Sequence, residues 1–181
     1  WKSKKIKHQQ YFITSDWCGG IYASCSLPGS RVGNQIATTW GILLHNGLNF
    51  YRKTAIKIMN ATKSVKTQIN SIPSFEVIGN PNINVVAFRS NKYNLSTIID
   101  SFEKKKWNLN ILQNPLCLHI CITPANIDNL GEFINILKNI NDSNIIENDG
   151  LVAIYGLAAK ISNKKLVNEI IYEYLDTTTD N

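Results

Sequence analysis

The residues best suited to chemistry lie in one short segment, residues 16–33, which is rich in glycine and serine. Its glycines permit backbone angles or close approaches that other residues forbid: Gly19, Gly20, Gly29 and Gly33. Donors for an anion accompany them: Ser24, Ser26, Ser30 and Arg31. A tyrosine, Tyr22, lies between the two groups, and the helical pattern that starts at Val32 supplies oriented backbone N–H groups. The segment therefore indicates either an anion-binding loop or an ordinary Gly/Ser loop that caps a helix.

A second candidate site consists of Cys117, His119 and Cys121, which alternate along one predicted strand. Residues two apart on a strand share a face, so these side chains would point the same way. A zinc site would need a matching Cys or His pair elsewhere, and the sequence has none at the usual spacing. We therefore predict no metal site and interpret these cysteines as small buried hydrophobic residues. His119 is expected to support the sheet, whereas His8 and His45 are expected at the surface.

Hydrophobic periodicity predicts the elements that position these residues. Residues 11–14 form a short β-prone run, and residues 15–30 are typical of a loop. A helix is predicted from Val32, with a break at Asn46-Gly47 and an end at Pro73.

The second half predicts an α/β unit with the element order ββαββα, followed by further helices. The predicted strands are residues 75–79, 84–88, 107–112 and 116–123, and the predicted helices are residues 95–105 and 127–140. A polar connector at residues 141–149, a shorter helix and a last helix at residues 164–175 complete the chain.

Composition limits the function classes. The 181 residues, 44% of them hydrophobic, are enough to bury a core, and no apolar run approaches the ~20 residues of a membrane-spanning helix. The net charge of +6 comes mainly from lysine, and the only arginines are Arg31, Arg52 and Arg89. Nucleic-acid sites favour arginine with interleaved aromatic residues, so we predict no nucleic-acid partner and interpret the lysine runs at residues 2–8 and 104–106 as solvated.

The segment 16–33 resembles a loop of the sphingosine-1-phosphate lyases, Asp-Trp-x-Gly-Gly-Ile-Tyr-Ala-Ser-Pro-Thr-x-x-Gly-Ser-Arg-Pro-Gly. The chain departs from this motif at Cys25, Ser26, Pro28 and Val32, where the family has Pro, Thr, Ala and Pro. Further similar positions follow in the same order along the chain: Trp40, Gly47, Tyr51, Pro115 and residues 79–81, 106–110, 112–113, 118–119 and 153–156.

The resemblance implies a fold and an activity. Such lyases are pyridoxal-phosphate enzymes of the aspartate-aminotransferase-like fold (fold-type I), which cleave a phosphorylated sphingoid base to a fatty aldehyde and phosphoethanolamine. The chain is then expected to be α/β and the C-terminal part of such an enzyme. Residues 1–72 would form the end of the large domain with the catalytic loop and linking helices, and residues 73–181 a small domain with a mainly antiparallel sheet covered by helices. The family's Schiff-base lysine follows a histidine, and since this sequence has no His-Lys step, we expect that lysine to be absent and the chain alone to be inactive.

The resemblance also implies site residues. Tyr22 matches the loop tyrosine and would be catalytic, exchanging a proton at the reacting carbon or hydroxyl. Four residues match positions that would bind the phosphate of substrate or cofactor: Ser24, Gly29, Ser30 and Arg31. Ser26 would join them, because it keeps the hydroxyl of the family's Thr. Arg31 is equally interpreted as a structural anchor, and Gly19 and Gly20 would lie at the cofactor. Because such loops often serve the neighbouring subunit's site, a homodimer is implied.

A lipid substrate implies work near a membrane. The expected location is the cytosolic face of the endoplasmic reticulum if the complete enzyme is eukaryotic-like, and otherwise the cytoplasm, with any anchor outside this chain. Two alternatives stay open. One is a non-catalytic, ferredoxin-like binding module, which the ββαββα order suits, and the other is an amino-acid decarboxylase of the same superfamily.

Overall fold

Two small β-sheets, joined by one long helix, organise the chain. The computed structural model describes residues 1–140 and 164–179. The first sheet is a two-stranded hairpin and the second has four strands. The predicted connector at residues 141–149, the shorter helix after it and the family-like residues 153–156 lie outside the described residues. The predicted domain boundary between residues 72 and 73 stays a prediction.

The chain opens with a short helix and the hairpin. Helix α1 is Lys4–His8, strand β1 is Phe12–Trp17 and strand β2 is Gly20–Ser24. The predicted β-prone run is confirmed, whereas the prediction of a loop over residues 15–30 is wrong for its first half. A two-residue turn, Cys18-Gly19, reverses the chain, and Gly20 follows with a φ of 95°, which favours glycine. The glycines that suggested a loop instead form the turn of a hairpin.

Helix α2 (Gly33–Asn70) links the two sheets and contains the predicted break. Gly47 lies inside it with φ 66° and ψ 167°, which separates two helical segments. The prediction of a break at Asn46-Gly47 is confirmed. The segment before the break is exposed, whereas Val65 and Ile69 near the end are buried in the core of the four-stranded sheet.

We expect Gly47→Ala to destabilise the protein by about 1–3 kcal/mol, because those backbone angles are nearly exclusive to glycine. An added Cβ would meet no atom within 4 Å, so backbone strain alone accounts for the effect. Gly41→Ala is the matched control: it lies inside the same helix, has equal space, and is expected to stabilise by up to about 1 kcal/mol. Urea unfolding of both variants measures the difference, and an unchanged or raised stability of Gly47→Ala would contradict it.

The second half has the predicted order ββαββα. Its strands are β3 (Phe75–Val77), β4 (Val85–Ser90), β5 (Asn110–Leu112) and β6 (Cys117–Cys121). Its helices are α3 (Leu95–Glu103) and α4 (Leu130–Lys138), the latter preceded by a 3₁₀ turn at Ile127–Asn129. The strands pair in the order β3-β4-β6-β5, each neighbour antiparallel. Strand β5 begins three residues later than predicted.

The core of this unit lies between the sheet and its helices. Along β4, Val86 and Phe88 are buried and the residues between them are less so, which is the alternation of a sheet covered on one face. Phe133 of α4 lies at the centre, with ring centroids 4.9 Å from Phe102 and 5.8 Å from Phe88. The aromatic contacts and the buried ends of α2 and α3 make one continuous core.

A second, smaller core joins the two ends of the described chain. Helix α5 (Lys164–Thr179) buries Val167, Ile171 and Leu175 against Tyr11, with Ile13 of β1 packed on the same cluster. The last predicted helix is thus confirmed, and it packs on the hairpin. Among the described residues, no helix combines the length and the apolar character needed to cross a bilayer.

Candidate functional site

The open face of the hairpin carries the tyrosine that the sequence singles out. Tyr22 pairs with Thr14, and Ser24 pairs with Phe12, so these four side chains share one face. The opposite face carries Ile13, which packs on the α5 cluster. Tyr22 is 50% exposed, and its ring lies edge-on to Phe12 with centroids 5.9 Å apart. In the described part of the chain its hydroxyl makes no hydrogen bond, so the phenol is available to a ligand.

Close packing and backbone geometry at the hairpin tip account for its two glycines without a cofactor. A Cβ on Gly19 would lie 2.3 Å from the indole ring of Trp17, so the ring covers that residue closely. Gly20 has the positive φ that the turn requires. The predicted cofactor role of Gly19 and Gly20 stays a prediction.

The predicted phosphate-binding residues lie in and beyond the end of β2. Ser24 donates its hydroxyl to the carbonyl of Ser26 at 2.7 Å, and Arg31 donates from Nη1 to the carbonyl of Gly29 at 3.2 Å. Ser30 is exposed beside them. The structure thus brings these residues together in local pairs, and Arg31 keeps its guanidinium at an exposed position.

The alternative of an ordinary Gly/Ser loop that caps a helix finds no side-chain cap at the start of α2. The residue before α2 is Val32, and no side chain there bonds to the helix N–H groups. The N–H groups in the first turn of α2 therefore have no side-chain cap, and they lie next to the exposed Arg31. Uncapped N–H groups beside a positive charge favour binding of an anion.

One contact between the hairpin and the four-stranded unit was missed in the sequence. Gln113, at the end of β5, is completely buried. Its Nε2 donates to the carbonyls of Ser15 and Trp17, both at 2.9 Å, and its backbone N–H donates to the carbonyl of Cys18 at 2.8 Å. The sequence offered two signals for Gln113, its place in a turn before Pro115 and its place among the family-like positions 112–113, and neither indicated its partners.

A buried carboxylate joins α5 to the start of the chain. Asp176 is 2% exposed and accepts hydrogen bonds from His8 Nε2 and the Tyr11 hydroxyl, each at 2.9 Å. Lys4 and Lys7 approach the same carboxylate at 3.2 and 3.7 Å. The bonds from His8, Tyr11 and Lys4 hold the pKa of Asp176 well below its usual range, and Asp176 raises the pKa of Lys4. His8 is therefore half-buried instead of lying at the surface as predicted. Within the lysine run at residues 2–8, Lys7 is buried against the prediction, whereas Lys2, Lys4 and Lys5 are exposed as predicted.

The predictions for the cysteines and histidines are confirmed for some residues and wrong for others. Cys117 is buried, and burial raises its pKa, whereas Cys121 on the same strand is exposed, so the prediction of buried cysteines holds only for the first. His119 lies half-buried in β6 as predicted, and burial lowers its pKa. His45 is exposed, as predicted. Residues 1–140 and 164–179 hold no group of three or more His, Cys, Asp or Glu placed to bind a metal.

Comparison with solved structures defines the class. A sphingosine-1-phosphate lyase from Burkholderia pseudomallei superposes with a TM-score of 0.59 at 27% identity, over 99% of this chain and 37% of that one. The fold is that of part of a pyridoxal-phosphate-dependent enzyme of fold-type I, and the α/β class with a small antiparallel sheet covered by helices is confirmed.

Curated relatives resemble the chain in sequence, although no protein-family model matches it. Sphingosine-1-phosphate lyases from Oryza sativa and Dictyostelium discoideum are 34% and 35% identical over 98% and 96% of the chain. Sphingosine-1-phosphate lyase 1 of Mus musculus is 35% identical over 99% of it. The chain is therefore similar to sphingosine-1-phosphate lyases along nearly its whole length, and it spans about a third of the length of the relatives it matches.

Proposed function

We propose that the chain is the C-terminal part of a lyase that cleaves phosphorylated sphingoid bases to a fatty aldehyde and phosphoethanolamine in sphingolipid catabolism. The observation that carries the proposal is the alignment of nearly the whole chain with lyases of that name at 34–35% identity. Within that alignment, the residues of the family-like loop form an ordered hairpin that presents Tyr22 on an open face.

The residues of the chain fit a phosphorylated cofactor or substrate. Arg31 is exposed and the N-terminus of α2 has no side-chain cap, so both offer donors to a phosphate. Ser24 ends β2, and Ser26, Gly29 and Ser30 follow it in the exposed segment that precedes α2. Pyridoxal phosphate, when bound in the complete enzyme, supplies the electron sink for carbon–carbon cleavage.

Tyr22 is the proposed proton-transfer group. Its phenol is half-exposed on the open face and its hydroxyl makes no hydrogen bond within the described residues, so it is free to take or give a proton at the reacting carbon or hydroxyl. The packing of its ring against Phe12 restricts the direction in which the phenol points.

We further propose a homodimer, supported by the first segment of α2. That segment is exposed throughout and carries large apolar side chains: Ile36, Trp40, Ile42, Leu43 and Leu44. A helix that is apolar on several faces is normally covered by protein, and a second subunit would cover it. The proposed location is the cytosolic face of the endoplasmic reticulum for a eukaryotic-like complete enzyme, and otherwise the cytoplasm.

A chimera tests the proposed activity. The chain replaces the matching segment of the Dictyostelium lyase, and the purified chimera is assayed for fatty aldehyde and phosphoethanolamine from a phosphorylated sphingoid base. We expect product from the chimera and none from the chain alone. A folded chimera that binds pyridoxal phosphate but forms neither product would contradict the proposal. Release of carbon dioxide from amino acids by the same chimera would favour the decarboxylase instead.

A further inference from the structure

We infer that Gln113 is a positioning residue that sets the shape of the hairpin bearing Tyr22. Its effect on catalysis rests on the proposed function, whereas its effect on the hairpin does not. The contact joins two parts of the chain that are 96 to 98 residues apart in sequence. It ties the end of β5 in the four-stranded sheet directly to the tip of the hairpin.

The hairpin needs such a contact because its ladder is irregular. Thr14 pairs with Tyr22 and Trp17 with Gly20, so Ser15 and Asp16 together lie opposite the single residue Ile21. A bulge of this kind disturbs the ladder, bends the strand and increases its twist. The carbonyl of Ser15, inside the bulge, accepts its hydrogen bond from Gln113. The bulge lies one residue from Tyr22, so whatever fixes its shape also fixes the direction of the tyrosine.

The glutamine side chain suits these acceptors in a way that other side chains do not. Both of its partners are carbonyl oxygens, so the amide nitrogen must face the hairpin. The amide oxygen then points away and has no hydrogen-bond partner within the described residues, although it is buried. A buried acceptor without a partner is unfavourable by itself. The presence of a glutamine at position 113 is therefore best explained by the two hydrogen bonds that its amide nitrogen donates to the hairpin.

The rest of the hairpin is held on its other side. Ile13 packs on the α5 cluster, and the Ser15 hydroxyl donates to Asn168 at 3.3 Å. These contacts hold the strand, whereas the three bonds of Gln113 end on the residues around the turn, Ser15, Trp17 and Cys18. Loss of Gln113 is therefore expected to loosen the bulge and the turn while the strand ends stay in place.

Hydrogen exchange on the complete 181-residue chain tests the effect on the hairpin. Gln113→Met keeps the length and removes the two side-chain bonds, while the backbone bond to Cys18 remains, and Gln113→Glu keeps the shape but sets carboxylate oxygens against two carbonyls. We expect amides of residues 17–22 to exchange at least about tenfold faster in both variants. The control Gln68→Met removes a glutamine whose side chain, within residues 1–140 and 164–179, bonds only to Ser64 on the same helix, and it should leave these amides unchanged.

A second control separates positioning from general destabilisation. Val86→Ala shortens a buried side chain in β4 and lowers stability without touching the hairpin. The inference is overturned if hairpin exchange is unchanged in Gln113→Met. It is equally overturned by the comparison of Val86→Ala with Gln113→Met at equal stability, which is set by a suitable urea concentration. In that case the same amides would exchange as fast in Val86→Ala as in Gln113→Met.

Kinetics in the chimera test the effect on the tyrosine. We expect Gln113→Met to lower kcat by about 10²-fold with KM nearly unchanged, since small misplacements of a reacting group have effects of that size. Added to Tyr22→Phe, it should cause little further loss, because both changes disable the same group. Full additivity, or an unchanged kcat with a loosened hairpin, would overturn the positioning role. An inactive parent chimera would contradict the proposed function but not the role of Gln113 in the hairpin. The hydrogen-exchange rates would then decide whether Gln113 fixes the shape of the hairpin.

Discussion

Tyr22→Phe in the chimeric lyase is expected to lower kcat by about 10²–10⁴-fold, the range that general acid–base groups contribute. Phenylalanine keeps the ring that packs edge-on against Phe12, so the open face of the hairpin should retain its shape. The hydroxyl bonds to no other described residue, so its removal leaves no buried partner unpaired. The change therefore isolates the proposed proton-transfer group from the structure that carries it.

The control for this substitution is Tyr174→Phe. Tyr174 lies on α5, is 65% exposed, and belongs to neither face of the hairpin. Steady-state kinetics of both variants should show a large fall for Tyr22 and none for Tyr174. If Tyr22→Phe keeps its kcat to within about threefold, the tyrosine is not the proton-transfer group, whatever the chimera's activity.

Asp176→Asn is expected to weaken the attachment of α5 and to change the pH dependence of stability. The carboxylate is buried among Lys4, Lys7, His8 and Tyr11, and the amide keeps its shape without its charge. At pH 7 the variant should unfold at a lower urea concentration. Hydrogen exchange should rise first in α5 and in β1, which share the small core.

The sign of the pH effect follows from the direction of the pKa shift. The folded state holds the pKa of Asp176 below its unfolded value of about 3.9, so its contribution is present above that value and is lost as the pH falls towards the folded pKa. Wild-type stability should therefore decline from about pH 5 downward more steeply than that of Asp176→Asn. His119, whose folded pKa is also lowered, adds an acid-side loss in both proteins, and this loss cancels in the comparison. On the alkaline side, Lys4 contributes to stability because its folded pKa is raised. This contribution is complete below the unfolded pKa and is lost as the pH rises through the folded pKa.

A matched control for Asp176 is Asp128→Asn. Asp128 pairs with Lys57 at 3.3 Å, but its side chain is 83% exposed, and exposed pairs contribute little. Urea unfolding between pH 3 and pH 8 should give the wild-type curve for this control. Equal slopes for wild type and Asp176→Asn between about pH 5 and pH 3 would contradict the assigned role of the buried carboxylate.

The sequence predicted those features that depend on neighbouring residues. The order ββαββα follows from apolar spacing along the chain, and the helix break follows from the conformational freedom of Gly47. The hairpin was missed because its second strand is only five residues long and starts with a glycine at the end of a glycine-rich turn. Local composition therefore outweighed the short β-prone run around Tyr22.

Contacts between distant residues could not be predicted. Gln113 meets the hairpin across almost a hundred residues, and a glutamine before Asn114-Pro115 is ordinary turn composition. The lysines near the start have the pattern of a solvated run because their buried partner, Asp176, lies near the other end. Tyr22 was found through its surrounding motif, whereas Gln113 stood out only as one of the family-like positions, with no sign of the residues that it contacts.

The small core affects the order in which the parts of the protein fold during synthesis. Tyr11 and Asp176, which bond within it, are 165 residues apart, so the ribosome releases the hairpin long before it releases α5. At about 5–20 residues per second, the hairpin spends roughly ten to thirty seconds without that helix. Contacts of such long range also slow folding. The four-stranded unit emerges in between and completes its own sheet first, so nascent chains should complete the small core between the hairpin and α5 last.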